Sequence, residues 1–307
     1  MNTDYRYQLE SKRLTGHQPR KLTCPHCGKK TCFVRYVDTR NNFSYVADRV
    51  GKCDHQHSCG YHYKPSEYYR DNPWTQERDA NPSQHATPTP LPPFQPLDMS
   101  YVQRSQSPRS IFWQWLANDV ARRLELTAAD LQRVYDDYLI GATRRGCVIF
   151  WQVDEQGLVH GGHIMQYRVD GHRDGFQGWT HIPLMRAGLL PPDWQLYQCF
   201  FGQHLLSRRP DAHVCVVESE KTALVMAACQ PRYLWLATCG SGGLSPDKLH
   251  CLRGRRVTLF PDSGCYDKWS KQMQQTQGID YNISRQLEDY PPNTDLCDVL
   301  LDGARPP

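Results

Sequence analysis

The sequence predicts an α/β fold whose last third builds a parallel sheet, preceded by an α+β segment and a small cysteine-rich module. Three observations predict it. From residue 214 onward short apolar runs alternate with helical patterns, as in "VCVVESEKTALVMAACQ", and strands alternating with helices pair in parallel through right-handed crossovers. Ahead of them, "CVIFWQV" and "LVHGGHIMQY" flank the turn Asp154-Glu155-Gln156-Gly157, the pattern of an antiparallel pair. Near the start, five of the 13 cysteines fall within 36 residues.

At 307 residues the chain has room for two or three domains, each with its own core. No run of 18 apolar residues occurs and the N-terminus lacks the apolar core of a signal peptide, so the expected location is the cytoplasm, away from membranes. The formal charge of +4 is unevenly placed: residues 1–75 hold 13 Lys/Arg against 7 Asp/Glu, and the rest is near balance. A polyanionic partner is therefore attracted to the N-terminal module. An odd cysteine count without an export signal speaks against a disulfide framework.

In order along the chain, residues 1–70 read as a zinc ribbon. Cys24-Pro-His-Cys27-Gly is a zinc-knuckle sequence, and Cys53-x5-Cys59-Gly ends in the same turn. The two-residue gap lets two sulfurs face one ion, and the glycine lets backbone N–H groups turn toward the thiolates. Between the knuckles, apolar and polar residues alternate around Asn41-Asn42 as in a hairpin. Cys24, Cys27, Cys53 and Cys59 are the expected ligands of a structural Zn²⁺. Cys32, Asp54, His55, His57 and His62 stand close enough in sequence to compete for the fourth place. Aromatics interleaved with cations, among them Lys29, Lys30, Arg35, Tyr36 and Arg40, suit single-stranded nucleic acid. A ribbon core would claim some of the same rings.

Residues 71–110 carry "TPTPLPPFQP" and read as an extended linker. Residues 111–211 open with helical patterns, Thr127 serving as an N-cap, and continue into β-rich sequence bearing Arg144 and Arg145. That face is expected either to bind nucleic acid or nucleotide or to be the polar side of an ordinary sheet. Residues 212–307 hold the strand–helix alternation. Glu218 and Asp262 stand at the ends of its first and third strands, where ligands of parallel sheets bind. Converging carboxylates there suit Mg²⁺ or Mn²⁺, which keep waters for phosphate. Lys221, opening the next helix, is placed to meet phosphate. Taken singly, Glu220 could simply favour the helix dipole and Asp262 cap a helix.

"VCVVESEKTAL … ATCGSGGL … VTLFPDSG … DLCDVL" resembles a TOPRIM domain, the metal-binding unit of bacterial-type primases, topoisomerases and some nucleases. The ribbon followed by "RRGCVIFWQVDEQGLVHGGHIMQY" is similar to the corresponding parts of bacterial and phage primases, and the order as a whole to primase-like proteins of mobile elements of the Bacteroidetes type. The resemblance implies a Rossmann-like sheet with Glu218 as the catalytic, metal-holding glutamate. It implies Asp262 as the first acid of an Asp-x-Asp pair, and Asp295 and Asp298 as the later acidic motif. Gly264 stands where the second acid of the pair belongs, removing a carboxylate that a two-metal arrangement uses. The implied function is Mg²⁺-dependent nucleotidyl transfer on single-stranded DNA, with nucleotides as substrates and a helicase or initiator as partner. The alternatives are a non-catalytic DNA-binding accessory with a degenerate site, or a nuclease.

Overall fold

The structure is a computed structural model that describes residues 6–39, 41, 43–55, 59–72, 93–240, 243–274 and 276–303. The chain divides into two compact units, Met1–Thr89 and Pro90–Pro307. In the first, strands β1 (Tyr7–Leu9), β2 (Phe33–Asp38), β3 (Ser44–Tyr45), β4 (Gly51–Cys53) and β5 (His62–Tyr63) form one antiparallel sheet, ordered β1-β2-β4-β5 with β3 on β2. All strands but β2 have two or three residues. The core is correspondingly small: Phe33 and the buried cysteines Cys24, Cys32 and Cys53, with Leu22 and Tyr61 packed against them. A core of this size calls for a covalent or metal staple. Gly51 opposes Arg35 across the ladder, and a Cβ there would stand 2.2 Å from the Val34 carbonyl oxygen.

The second unit begins earlier than the expected linker boundary of residue 110. Leu97 donates its N–H to Val159, Asp98 caps the helix Met99–Ser105, and Leu97 and Val102 are buried. Burying two such side chains is worth about 2 kcal/mol each, so residues 93–110 belong to the fold. Residues 73–92, which include most of the proline-rich stretch, lie outside the described residues.

The next strands are β6 (Gly141–Ala142), β7 (Val148–Val153), β8 (Val159–Tyr167) and β9 (Arg173–Trp179), an antiparallel sheet in chain order. Every residue of β7 is buried. Val148 and Phe150 face the main core, while Ile149, Trp151 and Val153 face a second cluster closed by Leu97, Val102 and Trp194. Both faces being covered, β7 lacks the polar face that an ordinary exposed sheet would have.

The parallel sheet holds β10 (Val214–Val217), β11 (Leu234–Ala237), β12 (Arg256–Phe260) and β13 (Asp280–Ile283), ordered β11-β10-β12-β13. β10 is central and buried throughout, hence its unbroken apolar sequence. No core boundary falls at residue 211. A single cluster runs from Phe112 to Leu300, the Tyr138 hydroxyl donates to the Trp235 carbonyl at 2.7 Å, and Arg133 donates to the carbonyls of Ala227 and Ala228. The expected segments 111–211 and 212–307 are thus parts of one unit.

Candidate functional site

Register places the acids. Val217 pairs with Ala237 on one side and Phe260 on the other, so Glu218 and the turn carrying Asp262 leave the same edge of the sheet. The Glu218 carbonyl accepts from Gly240 N at 3.1 Å and Thr238 Oγ1 at 3.3 Å, which fixes its backbone. Its side chain is only 8 % exposed, and its Oε1 is buried without a hydrogen-bond partner. Burial pushes this carboxyl above the ordinary glutamate range, against the pull of the Cys265 thiol and the Lys268 charge. Asp262 is pushed up to about 8, first by burial and then by the charges of Glu218, Asp295 and Asp298. Two desolvated acids on adjacent strands, one with an orphaned oxygen, fit a cation: a positive ion supplies the missing partner and relieves the repulsion.

The remaining expected ligands are engaged elsewhere. Asp295 caps the helix Leu296–Leu301 in a reciprocal box with Asp298, and its Oδ2 also accepts from Thr222 Oγ1 at 2.8 Å. Lys221 lies 3.2 Å from Asp298 and 3.5 Å from Asp295. With 17 % of its side chain exposed, it neutralises these acids and is not presented to phosphate. Among the described residues, the groups of three or more ligands within 4.8 Å of one another are both in the ribbon. Glu218, Asp262, Asp295 and Asp298 are therefore not assembled as one four-carboxylate set. Nor does Asp262 cap a helix: the turn runs through Gly264, at φ +82°, to Cys265, which precedes the helix Tyr266–Met273. The left-handed conformation accounts for glycine at 264.

Sequence reasoning missed Glu220's partner. Glu220 is 2 % exposed, and its Oε1 lies 2.6 Å from Nδ1 of His163 on β8, a ring stacked on Trp179 at 4.7 Å. Burial opposes its charge, but the histidine outweighs this and holds the carboxyl below the ordinary glutamate range. The pair joins the antiparallel sheet to the helix following Glu218, and no local pattern announces it. Removing one partner of a buried pair strands the other. His163→Ala is expected to destabilise the second unit by about 3 kcal/mol, read by urea unfolding. Cys265 was missed as well; its thiol faces Glu218, and burial followed by that carboxylate pushes it up to about 12.

In the ribbon, Cys24, Cys27, Cys53 and Cys59 have sulfurs within 4.8 Å of one another. The Cys24–Cys59 distance is 3.7 Å, near the roughly 3.8 Å edge of a tetrahedron of thiolates about 2.3 Å from Zn²⁺. Gly28 and Gly60 take left-handed φ values of +69° and +65° and close the two knuckles. A backbone N–H from Lys29 lowers the Cys27 thiol to about 7. The residues fit zinc. A second group, Cys27, Cys32, Cys53 and His55, overlaps the first, with Cys53 and Cys32 3.8 Å apart.

Of the expected nucleic-acid contacts, Lys29 and Lys30 are exposed in the first knuckle, and Arg144 and Arg145 in the β6–β7 turn of the other unit. Arg35 is committed to Asp48 at 2.7 Å and lies 3.5 Å from the Tyr45 ring centre. Tyr36 stacks on His62 and bonds its Nε2 at 2.8 Å. Arg40, Asn42 and His57 lie outside the described residues. Among the described residues, no helix is long and apolar enough to cross a membrane.

No curated protein matches the chain. Among solved structures it is similar to the RNA polymerase domain of Mycobacterium tuberculosis primase DnaG, with 14 % identity, 66 % of this chain and 77 % of that one covered, and a TM-score of 0.43. It is similar to the E. coli primase catalytic core at 13 % identity, covering 66 % and 74 %, TM-score 0.41. The primase fragment of the bacteriophage T7 primase-helicase protein gives 12 %, 93 % and 95 %, TM-score 0.39. A family model described as a zinc beta-ribbon finger matches residues 5–74, around the cysteine cluster. The model described as Domain of unknown function (DUF6371) matches residues 110–263, half of the chain and most of both sheets of the second unit, and the chain belongs to that family.

Proposed function

We propose that the protein is a primase-like, single-stranded-DNA-binding nucleotidyltransferase with one divalent cation, Mg²⁺ or Mn²⁺, at a TOPRIM-type site. The observation that carries the reading is the buried, unpartnered Oε1 of Glu218 at the end of the central parallel strand, beside Asp262. Glu218 and Asp262 hold the cation, which supplies charge neutralisation for the transferring phosphoryl group and keeps open positions for its oxygens. Asp295 and Asp298 act at one remove by fixing Lys221, and Lys221 in turn lowers the negative potential around Asp262. The zinc ribbon, with its exposed Lys29 and Lys30, supplies electrostatic capture of the template. Its setting is the replication of mobile-element DNA beside a helicase or initiator.

A second reading, an accessory DNA-binding protein with a degenerate site, is favoured by Gly264 and by the engagement of Lys221 with acids. A template-directed incorporation assay separates the two. Purified protein, single-stranded DNA, labelled nucleotides and millimolar Mg²⁺ or Mn²⁺ are expected to give slow, template-dependent product. Absence of product with either ion, together with intact DNA binding, selects the accessory reading. Cleavage of the template without incorporation would select a nuclease.

A further inference from the structure

A cleft of about 850 Å³ opens at the β11 side of Glu218, within the size range of about 300–1,000 Å³ typical of small-molecule sites. Two of its lining residues, Thr238 and Gly240, hydrogen-bond the backbone carbonyl of Glu218 and so tie the cleft to the strand end that carries the acid. Part of the lining is aromatic. Phe94 stacks on His160 with ring centres 4.2 Å apart and meets Tyr197 edge-on at 6.1 Å. His160 is held in place by Asp154 at 3.0 Å and the Tyr197 carbonyl at 2.6 Å, so the corner is preformed.

Lys248, 8 % exposed, lines the same cleft. Its ammonium donates to the Thr238 carbonyl at 3.1 Å and to Gln198 Oε1 at 3.4 Å. Among the described residues no carboxylate comes within ion-pair distance of it. An ammonium has three donors, so a buried cation with two neutral acceptors retains capacity for a ligand oxygen or ring nitrogen. Glu155 and Asp247 at the cleft oppose a triphosphate lying inside it. A planar, uncharged group that stacks and accepts one hydrogen bond meets all three conditions.

We infer that this cleft receives the base and sugar of a nucleotide, a purine first because its two-ring face gives the larger stack, whose phosphates lie on the cation at Glu218 and Asp262. The inference rests on the proposed nucleotidyl-transfer reading for the phosphate end only; the base end stands on the cleft itself. The test is calorimetric titration of the full chain with adenosine and guanosine in buffer without divalent ions, and with ATP in millimolar Mg²⁺. At least one nucleoside is expected to bind without metal. Phe94→Ala should weaken that binding about fivefold or more, since a base–aromatic stack is worth about 1–3 kcal/mol, and Gln198→Ala should weaken it less. Glu218→Gln should leave nucleoside binding unchanged and remove the extra affinity of ATP with Mg²⁺. If neither nucleoside binds at millimolar concentration, or if binding is indifferent to Phe94→Ala in a variant with unchanged circular dichroism, the cleft assignment is overturned. Nucleoside binding sensitive to Phe94 with ATP affinity indifferent to Mg²⁺ and to Glu218→Gln supports the cleft and overturns the metal-site reading instead.

Discussion

Glu218→Gln is expected to abolish metal-dependent nucleotide incorporation while raising the melting temperature of the metal-free protein. The two effects have one cause. The carboxylate is 8 % exposed with one oxygen unpartnered, and a charge in that position costs stability until a cation arrives. The amide keeps the shape and removes the charge. A gain of about 1 kcal/mol corresponds to a rise of about 2–4 °C in a unit of this size. Scanning calorimetry of the second unit's transition, with and without millimolar Mg²⁺, checks both. Wild type should gain stability with Mg²⁺ by mass action, and the variant should not. A variant less stable than wild type without metal, or one equally stabilised by Mg²⁺, would overturn the site.

The pH dependence carries the same sign. Asp262 is pushed up to about 8 from an ordinary value of 3.8, so between these values the folded chain binds more protons than the unfolded one. Stability of the metal-free protein then falls as pH rises from about 4 to about 8. The size is on the order of 2–4 kcal/mol, since each tenfold change in proton affinity is worth about 1.4 kcal/mol and partial exposure screens some of it. Asp262→Asn should flatten this slope, and Mg²⁺ should remove it in the wild type.

The two acids were legible because parallel pairing aligns strand ends: once "VCVV" and "VTLF" read as neighbouring strands, Glu218 and Asp262 had to leave the same edge. The later acids carried a readable signal that pointed elsewhere. Asp295-x-x-Asp298 before "VLL" is a capping-box pattern, and the structure uses it as one. What could not be read were contacts made by tertiary packing. His163 meets Glu220 from a strand 57 residues earlier, and Lys221 meets Asp298 across 77 residues. The proline-rich composition concealed Leu97 and Val102, two apolar residues whose value lies in the face of β7 that they cover.

Removing zinc should unfold the first unit and leave the second intact. The first unit's buried cluster consists of Phe33 and three cysteines, so the metal supplies what a larger core would, and structural zinc in small domains contributes about 10–16 kcal/mol at neutral pH. That matches or exceeds the total stability of an ordinary domain, about 5–15 kcal/mol. Cys24→Ser and Cys59→Ser are therefore expected to lose the ion and give unfolded amide signals for residues 6–72. The Pro90–Pro307 unit, with its own core, should keep its calorimetric transition. The two overlapping ligand groups make Cys32 the informative control. Its thiol donates to the Lys29 carbonyl at 3.1 Å and lies 3.8 Å from the Cys53 sulfur, as a protonated thiol outside the coordination shell does. Cys32→Ser should keep one zinc per chain by elemental analysis and cost about 1 kcal/mol. The reverse pattern, zinc lost on Cys32→Ser and kept on Cys24→Ser, would assign the ion to Cys27, Cys32, Cys53 and His55. Full-length protein purified without zinc, yet folded over residues 6–72, would remove the metal from the account of this unit.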